Sequence, residues 1–259
     1  MRKVLRVVIS TNRINYLAQT FESCKKIDFS GLDVHHLLID DFPKGRNDEM
    51  FSSFVLLNGF DEVILNDKNK GITKQWEKIF ELAKDYDYVF MHEDDVLVQR
   101  EFKLEHLIIL LERDSSLSQV QLKRNNWYEF EKEEIKSKES DWTIGDFRYE
   151  RHCDYFWGLM SVWPTWITKE PIEKISGHKL SESTIAWYMK NYHNKWTAQL
   201  KTEHGGIMVE HIGEITKGFR TEKGVPGFIE GVSDKRDPSI ERMSRNINVT
   251  LEKPKEGMI

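Results

Sequence analysis

"VFMHEDDVLV", residues 89–98, sets an apolar run against three consecutive carboxylates, Glu93, Asp94 and Asp95, and then turns apolar again at once. The flanks read as a buried strand, being short and rich in β-branched and aromatic residues. Three adjacent acids at the end of such a strand repel one another and lose solvation near a core. One reading is an acidic turn facing solvent. The other is a site where a cation completes the charge balance. Successive side chains of an extended segment point opposite ways, so Glu93 and Asp95 can share one side while Asp94 takes the other. Mg²⁺ and Mn²⁺ favour such oxygen ligands and often share them with phosphate.

Other segments have the same form. "VLRVVIS" (4–10) ends in the polar turn Thr11-Asn12-Arg13, and "VHHLLID" (34–40) closes on Asp40 and Asp41. "DEVILN" (61–66) leads into a polar turn through Gly71, and "YDYVFMH" (86–92) leads into the acids. Helical patterns over 14–26, 45–57 and 72–84 separate them, the last with Ile72, Trp76, Ile79, Phe80 and Ala83 on one side. This alternation predicts a parallel sheet covered on both faces, with ligand groups gathered beyond the carboxyl ends of its strands. Further on, "FKLEHLIILLER" reads as a helix and "LSQVQLKR" as a strand, while residues 125–150 show no clear period. "CDYFWGLMSVWP" (153–164) reads as extended, a helix is expected over about 181–190, and "GGIMVEHIG" (205–213) as a late strand ending in His211. From 214 onward glycine and charge predominate, as in a mobile loop and tail.

The 259 residues allow one large α/β domain or two small ones. Lys plus Arg number 38 against 43 for Asp plus Glu, a net charge of -5 that argues against a nucleic-acid partner. Cys24 and Cys153 make neither a disulfide framework nor a metal cluster, and with no apolar stretch long enough to span a bilayer they point to a cytoplasmic protein. Seven of the eight tryptophans follow residue 120, where they build a core or line a cleft. No Walker-type lysine loop, GxGxxG fingerprint, Ser-x-Gly elbow or His-Glu-x-x-His pattern occurs, which disfavours dinucleotide redox chemistry and P-loop hydrolysis.

The ordered set of motifs resembles the GT-A fold nucleotide-sugar glycosyltransferases, most closely the inverting family 2 enzymes. "VVISTNRINYLAQTFES" is similar to that family's opening strand, turn and helix, and "LLIDD" to its second strand with paired aspartates. "NKGITKQWEKIF" is similar to its asparagine-glycine turn and helix, and "HEDDVLV" to its acidic metal motif, with Glu93 where aspartate is common. The resemblance implies a mostly parallel central sheet flanked by helices. It divides the chain into a nucleotide-sugar half (1–100), an acceptor-binding and catalytic half of the same domain (101–235) and a tail (236–259).

It also implies roles. Thr11 and Arg13 would border the base and phosphates, Asp40 or Asp41 would recognise the base or ribose, and Lys70 and Gly71 would lie over the nucleotide. Glu93, approaching the ribose, and Asp94 would belong to the nucleotide-sugar site, and Asp95 would hold Mn²⁺ or Mg²⁺. His211 would join the metal or diphosphate, or be a core or surface histidine. Glu182 would be the catalytic base, with Asp154 or Asp146 as substitutes; the plain reading is a helix capped by Ser181 or Ser183, with Glu182 a favourable first-turn charge. Phe156, Trp157 and Trp163, with Tyr155, would stack on a glycan acceptor, and Trp76 would anchor its helix in the core. Arg220 and Lys223 would close over the diphosphate or stand in solvent. The implied activity is a metal-dependent, hexosyltransferase-like transfer from a UDP- or GDP-sugar to a glycan or other hydroxyl, with inversion. The rival readings are a nucleotidyltransferase acting on sugar phosphates and a carbohydrate-binding protein without turnover.

Overall fold

Strand β1 (Arg2–Ser10) is the axis of the fold: its sequence is β-branched, and every residue from Val4 to Ser10 is buried. The computed structural model describes residues 1–124, 138–144, 147–152, 160–202 and 206–212. All of these fall within the unit formed by Met1–Asn125 and Ile135–Ile212. On one side β1 pairs in parallel with β3 (Leu32–Asp40), which pairs in parallel with β4 (Glu62–Leu65). On the other side it pairs in parallel with β5 (Tyr88–Glu93).

The sheet continues from β5 through β11 (Ser161–Pro164), β8 (Leu117–Leu122), β12 (Trp196–Thr202), β10 (Phe147–His152) and β9 (Lys138–Ile144). Only β11 and β10 run against the rest, so seven of the nine strands share one direction. Two short ladders lie outside it: β2 (Ile27–Asp28) with β7 (Phe102–Lys103), and β6 (Val96–Val98) with β13 (Val209–His211).

Strand alternation assigns each face its helices. Leu5, Val7, Ile9, Leu37, Ile39, Val89 and Met91 pack with α3 (Ile72–Leu82), α5 (Ile172–Ser176) and α6 (Glu182–His193). On the opposite face Val8 and Leu38 pack with α1 (Ile14–Cys24) and α2 (Asp48–Leu57), and Val4 and Phe90 with α4 (Leu104–Arg113). Trp76 of α3 is fully buried, as expected of a core anchor.

Several expectations need correcting. Helix α2 starts at Asp48 rather than 45, because Asn47 caps it by accepting from Met50 N–H at 2.9 Å. Phe102 and Lys103 are extended, since β7 pairs with β2 before α4 begins. Helix α6 runs on to His193, where Asn194 ends it in the left-handed region. Residues 138–144 and 147–152 form β9 and β10, whose charge-rich sequences suit the outer strands of a sheet more than a hydrophobic period would show. Strand β12, not expected from the sequence, pairs in parallel with β8 and buries Thr197, Ala198 and Leu200. Trp163, expected to meet the acceptor, is instead fully buried. Its strand lies between β5 and β8, and the ring sits 6.1 Å from Trp76 and 5.7 Å from Phe80. The stretch 153–159 and the tail from 213 lie outside the described residues, and with them Cys153, Asp154, Tyr155, Phe156, Trp157, Arg220 and Lys223, as does Asp146.

A polar cluster crosses the middle of the sheet beneath α1. The buried Arg6 guanidinium donates to His92 Nε2 at 3.2 Å through Nε, and its Nη1 lies 3.2 Å from His36 Nδ1. The rings of Phe29 and Phe60 lie 5.5 and 5.2 Å from its charge. Burial, reinforced by the Arg6 charge and opposed by Asp61, pushes the His36 pKa down to about 4, so both histidines serve Arg6 as neutral acceptors. The stability contributed by neutral His36 is therefore complete above the ordinary histidine pKa of about 6.5 and is lost as pH falls toward 4. Urea unfolding of wild type and His36→Gln across this range should show the difference between them shrinking toward low pH. With the ring only half-buried, that change is on the order of 1 kcal/mol.

Candidate active site

Glu93 ends β5 and Asp94 and Asp95 form the two-residue connection to β6, and the three side chains divide as the extended geometry requires. Asp94 points toward β1, where it accepts from Ser10 Oγ at 2.9 Å, from Thr11 N–H at 3.3 Å and from the Arg13 guanidinium. Thr20 of α1 holds the Asp94 carbonyl at 2.7 Å. Asp95 and Glu93 point the other way, toward His211. The antiparallel β6–β13 ladder sets His211 opposite Val96, and Ile212 N–H donates to the Asp95 carbonyl at 2.9 Å. His211 Nε2 then lies 3.3 Å from Asp95 Oδ1 and 3.7 Å from the Glu93 carboxylate.

One ligand atom from each of Glu93, Asp95 and His211 lies within 4.8 Å of the others. Asp95 Oδ1 is buried and has no hydrogen-bond partner among the described residues. Two carboxylates and an imidazole, with an unused buried oxygen between them, fit a divalent cation such as Mn²⁺ or Mg²⁺. The electrostatics agree. Burial raises the Asp95 pKa and the Glu93 charge adds to it, while Arg13 and His211 oppose. For Glu93 burial also works upward, but His211, Arg13 and Arg124 outweigh it and hold the carboxylate below its ordinary value. Two like charges about 4 Å apart repel by about 4 kcal/mol at an effective dielectric near 20, so the cluster needs cations.

The other strand ends close around this edge. Asn12 adopts a left-handed φ of 60°, which asparagine tolerates better than most residues, and aims its N–H at Asp40 Oδ2 at 2.5 Å. Asp40 Oδ1 accepts from Phe42 N–H at 3.2 Å and from Arg46. Asp41 accepts from Asn66 Nδ2 at 2.8 Å, Lys70 N–H at 2.9 Å and Gly71 N–H at 2.7 Å. Gly71 leads into α3 at φ +79°, where a Cβ would be strained. Asp40 and Asp41 are thus buried and spend most of their acceptor capacity tying three loops together. Lys70 itself is exposed above them, and Thr11 is half-buried.

From the second half, Glu182 is the first residue of α6, and Ser181 caps the helix by accepting from Thr184 N–H at 3.2 Å. The cap expected of Ser181 is thus present, with Glu182 as the acidic residue of the first turn. Burial pushes the Glu182 pKa up to about 8, with the Glu93 charge adding and Arg124 opposing.

Arg124 and Arg46 are site residues that sequence reading missed. Arg124 follows β8, bridges to Val209, and is buried with its charge felt by both Glu93 and Glu182. Arg46, its side chain 1% exposed, spans Asp40, Asp48 and the Asn66 carbonyl. The only signal for Arg124 was its place at a strand end; Arg46 shares its polar loop with Lys44, and nothing local tells the two apart.

Residues 7–175 match the family model described as glycosyl transferase family 2. The fold is GT-A, and solved structures share it at low identity. The crystal structure of S. aureus TarS 1–349 superposes with a TM-score of 0.52 at 16% identity, over 81% of this chain and 60% of that one. GalNAc-T7 with UDP, GalNAc and Mn²⁺ gives 0.52 at 14%, over 82% and 44%. TarS 1–349 in complex with UDP-GlcNAc gives 0.50 at 15%, over 80% and 58%. The chain therefore spans well under two thirds of the length of each. No curated protein matches it in sequence. No helix among the described residues is long and apolar enough to cross a membrane.

Asp41→Asn tests the loop tie. The amide opposes one of three donors with an NH₂ group, so urea unfolding should show a loss of about 1–3 kcal/mol.

Proposed function

Because the chain belongs to glycosyltransferase family 2, we propose that it moves a sugar from a UDP- or GDP-sugar to a hydroxyl of a glycan or similar acceptor, with inversion. The observation that carries this reading is the convergence of Glu93, Asp95 and His211 at the end of β5, with Glu182 close enough for its charge state to depend on Glu93. Of the two bases, uracil is favoured by the UDP and UDP-GlcNAc bound in the solved relatives.

The base and ribose occupy the crevice walled by Thr11, Asp40, Asp41, Lys70 and Gly71. Among the described residues Asp40 Oδ2 takes one donor, Asn12 N–H, which leaves it a second lone pair for a base N–H. Asp94 serves this site from behind, by fixing Thr11 and Arg13. Glu93 would approach the ribose, and Asp95 and His211, with Glu93 beside them, would hold the cation. The chemistry supplied there by Mn²⁺ or Mg²⁺ is neutralisation of the diphosphate; the manganese in GalNAc-T7 favours the former.

Glu182 takes the proton from the acceptor hydroxyl. The hydroxyl oxygen then forms its bond to the anomeric carbon on the face opposite the diphosphate, whose C–O bond breaks and whose oxygen keeps the electron pair. A carboxylate with a raised pKa is a stronger base once ionised, and the Arg124 charge opposes part of the rise that burial and Glu93 cause. Asp154 is the substitute base from the acceptor side, where Phe156 and Trp157 stack on the sugar. On this reading residues 1–100 bind the nucleotide sugar, 101–235 are the acceptor-binding and catalytic half, which also lends His211 to the metal, and 236–259 are a tail. The buried free thiol of Cys24 suits a reducing, cytoplasmic setting.

Two variants should fail differently. Asp95→Asn removes a charged ligand, so metal-dependent donor affinity and turnover fall together. Glu182→Gln keeps its size but accepts no proton, so donor affinity by calorimetry survives while kcat drops roughly 10²–10⁴-fold. It should also abolish the rise of activity with pH through the Glu182 pKa, which lies at about 8 in the free protein. Full transfer by Glu182→Gln would move the base to Asp154. Undiminished metal-dependent donor binding by Asp95→Asn would remove the central support for the reading.

A further inference from the structure

We propose that Arg13 is a positioning residue for the metal ligand Asp95, holding its carboxylate so that Oδ1 alone is offered to the cation. The guanidinium forks across two consecutive acids. Its Nη1 pairs with Asp95 Oδ2 at 2.6 Å, while Nη2 pairs with Asp94 Oδ1 and Nε donates to Asp94 Oδ2 at 3.3 Å. Asp94 is itself moored to the end of β1 by Ser10 Oγ and Thr11 N–H. The Arg13 backbone is fixed as well, since its carbonyl accepts from Leu17 N–H at 2.9 Å in the first turn of α1. Asp95 is therefore clamped, through Arg13, to a strand whose buried run continues to Ser10.

The direction of the clamp carries the inference. Of the two Asp95 oxygens, Arg13 takes Oδ2, and the one it leaves is the buried, unbonded Oδ1 that faces His211 Nε2 at 3.3 Å. A carboxylate free to turn could chelate with both oxygens or swing away; one held at Oδ2 presents a single oxygen in a fixed direction. Groups that orient a ligand in this manner commonly change metal affinity by about 10–100-fold when removed. Arginine is required for the full effect, because a planar fork reaches two acids at once and an ammonium does not. The role differs from contact with the diphosphate, which the same side chain, about one third exposed, can make from its open side.

The inference rests on the metal site proposed above, and the test separates the two. Mn²⁺ is titrated by calorimetry into the full chain without nucleotide, for wild type, Arg13→Gln and Arg13→Lys, and UDP is titrated separately without metal. Arg13→Gln should weaken Mn²⁺ binding about 10–100-fold and Arg13→Lys by less, with the unfolding midpoint of Arg13→Lys unchanged. If Arg13→Gln does not fold, Arg13→Lys decides alone, by weaker Mn²⁺ binding at an unaltered midpoint. Unchanged Mn²⁺ affinity with weaker UDP binding would make Arg13 a diphosphate ligand only and overturn the proposal. Tighter Mn²⁺ binding would overturn it too, by making Arg13 a competitor for the site. Wild type that binds no Mn²⁺ would overturn the metal site itself, and this role with it.

Discussion

Negative charge packed at a buried sheet edge must be neutralised, and most of the polar architecture follows from that constraint. Glu93, Asp94 and Asp95 follow four strand residues, Val89 to His92, that are fully buried. The protein answers with two arrangements rather than one. Asp94 is engaged on both oxygens by Ser10, Thr11 and Arg13, and Arg13 and Ser10 oppose the rise in its pKa caused by burial. Glu93 and Asp95 are satisfied only in part, by His211, Arg13 and the field of Arg124. A fully paired carboxylate is structure; a partly paired one retains a demand for charge that a cation and its diphosphate can meet.

The same division runs through the neighbouring loops. Asp40 and Asp41 look alike in sequence to the acids of β5, yet each is engaged mostly by internal donors. They stiffen the crevice by joining the ends of β1, β3 and β4 to the start of α3, so the surface that meets a nucleotide is preorganised. Beneath the site, His92 passes the influence of Arg6 onward through a 3.1 Å contact between its Nδ1 and the Glu93 carbonyl. The acidic turn is therefore supported from beneath through the neutral His92 ring and from β1 through Arg13.

Much of this was legible because it is local. The strand–helix alternation of the first hundred residues, the polar strand ends and the opposed directions of Glu93 and Asp94 follow from periods of 2.0 and 3.6 and need no distant partner. Trp163 shows where that legibility stops: an aromatic cluster reads alike whether it lines a cleft or fills a core, and only its strand's place between β5 and β8 put the ring against Trp76 and Phe80. Arg46 and Arg124 were invisible for a related reason, since a buried arginine is recognised by its partners and those lie on other elements.

By itself the sequence determined the parallel half of the sheet, the edge where a ligand would lie and the acid turn as its centre, because short-range patterning of apolar and polar residues dictates them. The tertiary structure alone decided which groups complete that centre. His211 reaches Asp95 only because β13 pairs with β6, more than a hundred residues away in the chain, and Glu182 comes within electrostatic reach of Glu93 only because α6 packs against the same sheet. Likewise, whether an aspartate serves the fold or remains available to a ligand was set by the donors that folding brings to it. Those donors arrive from separate strands and loops, so no local pattern encodes them.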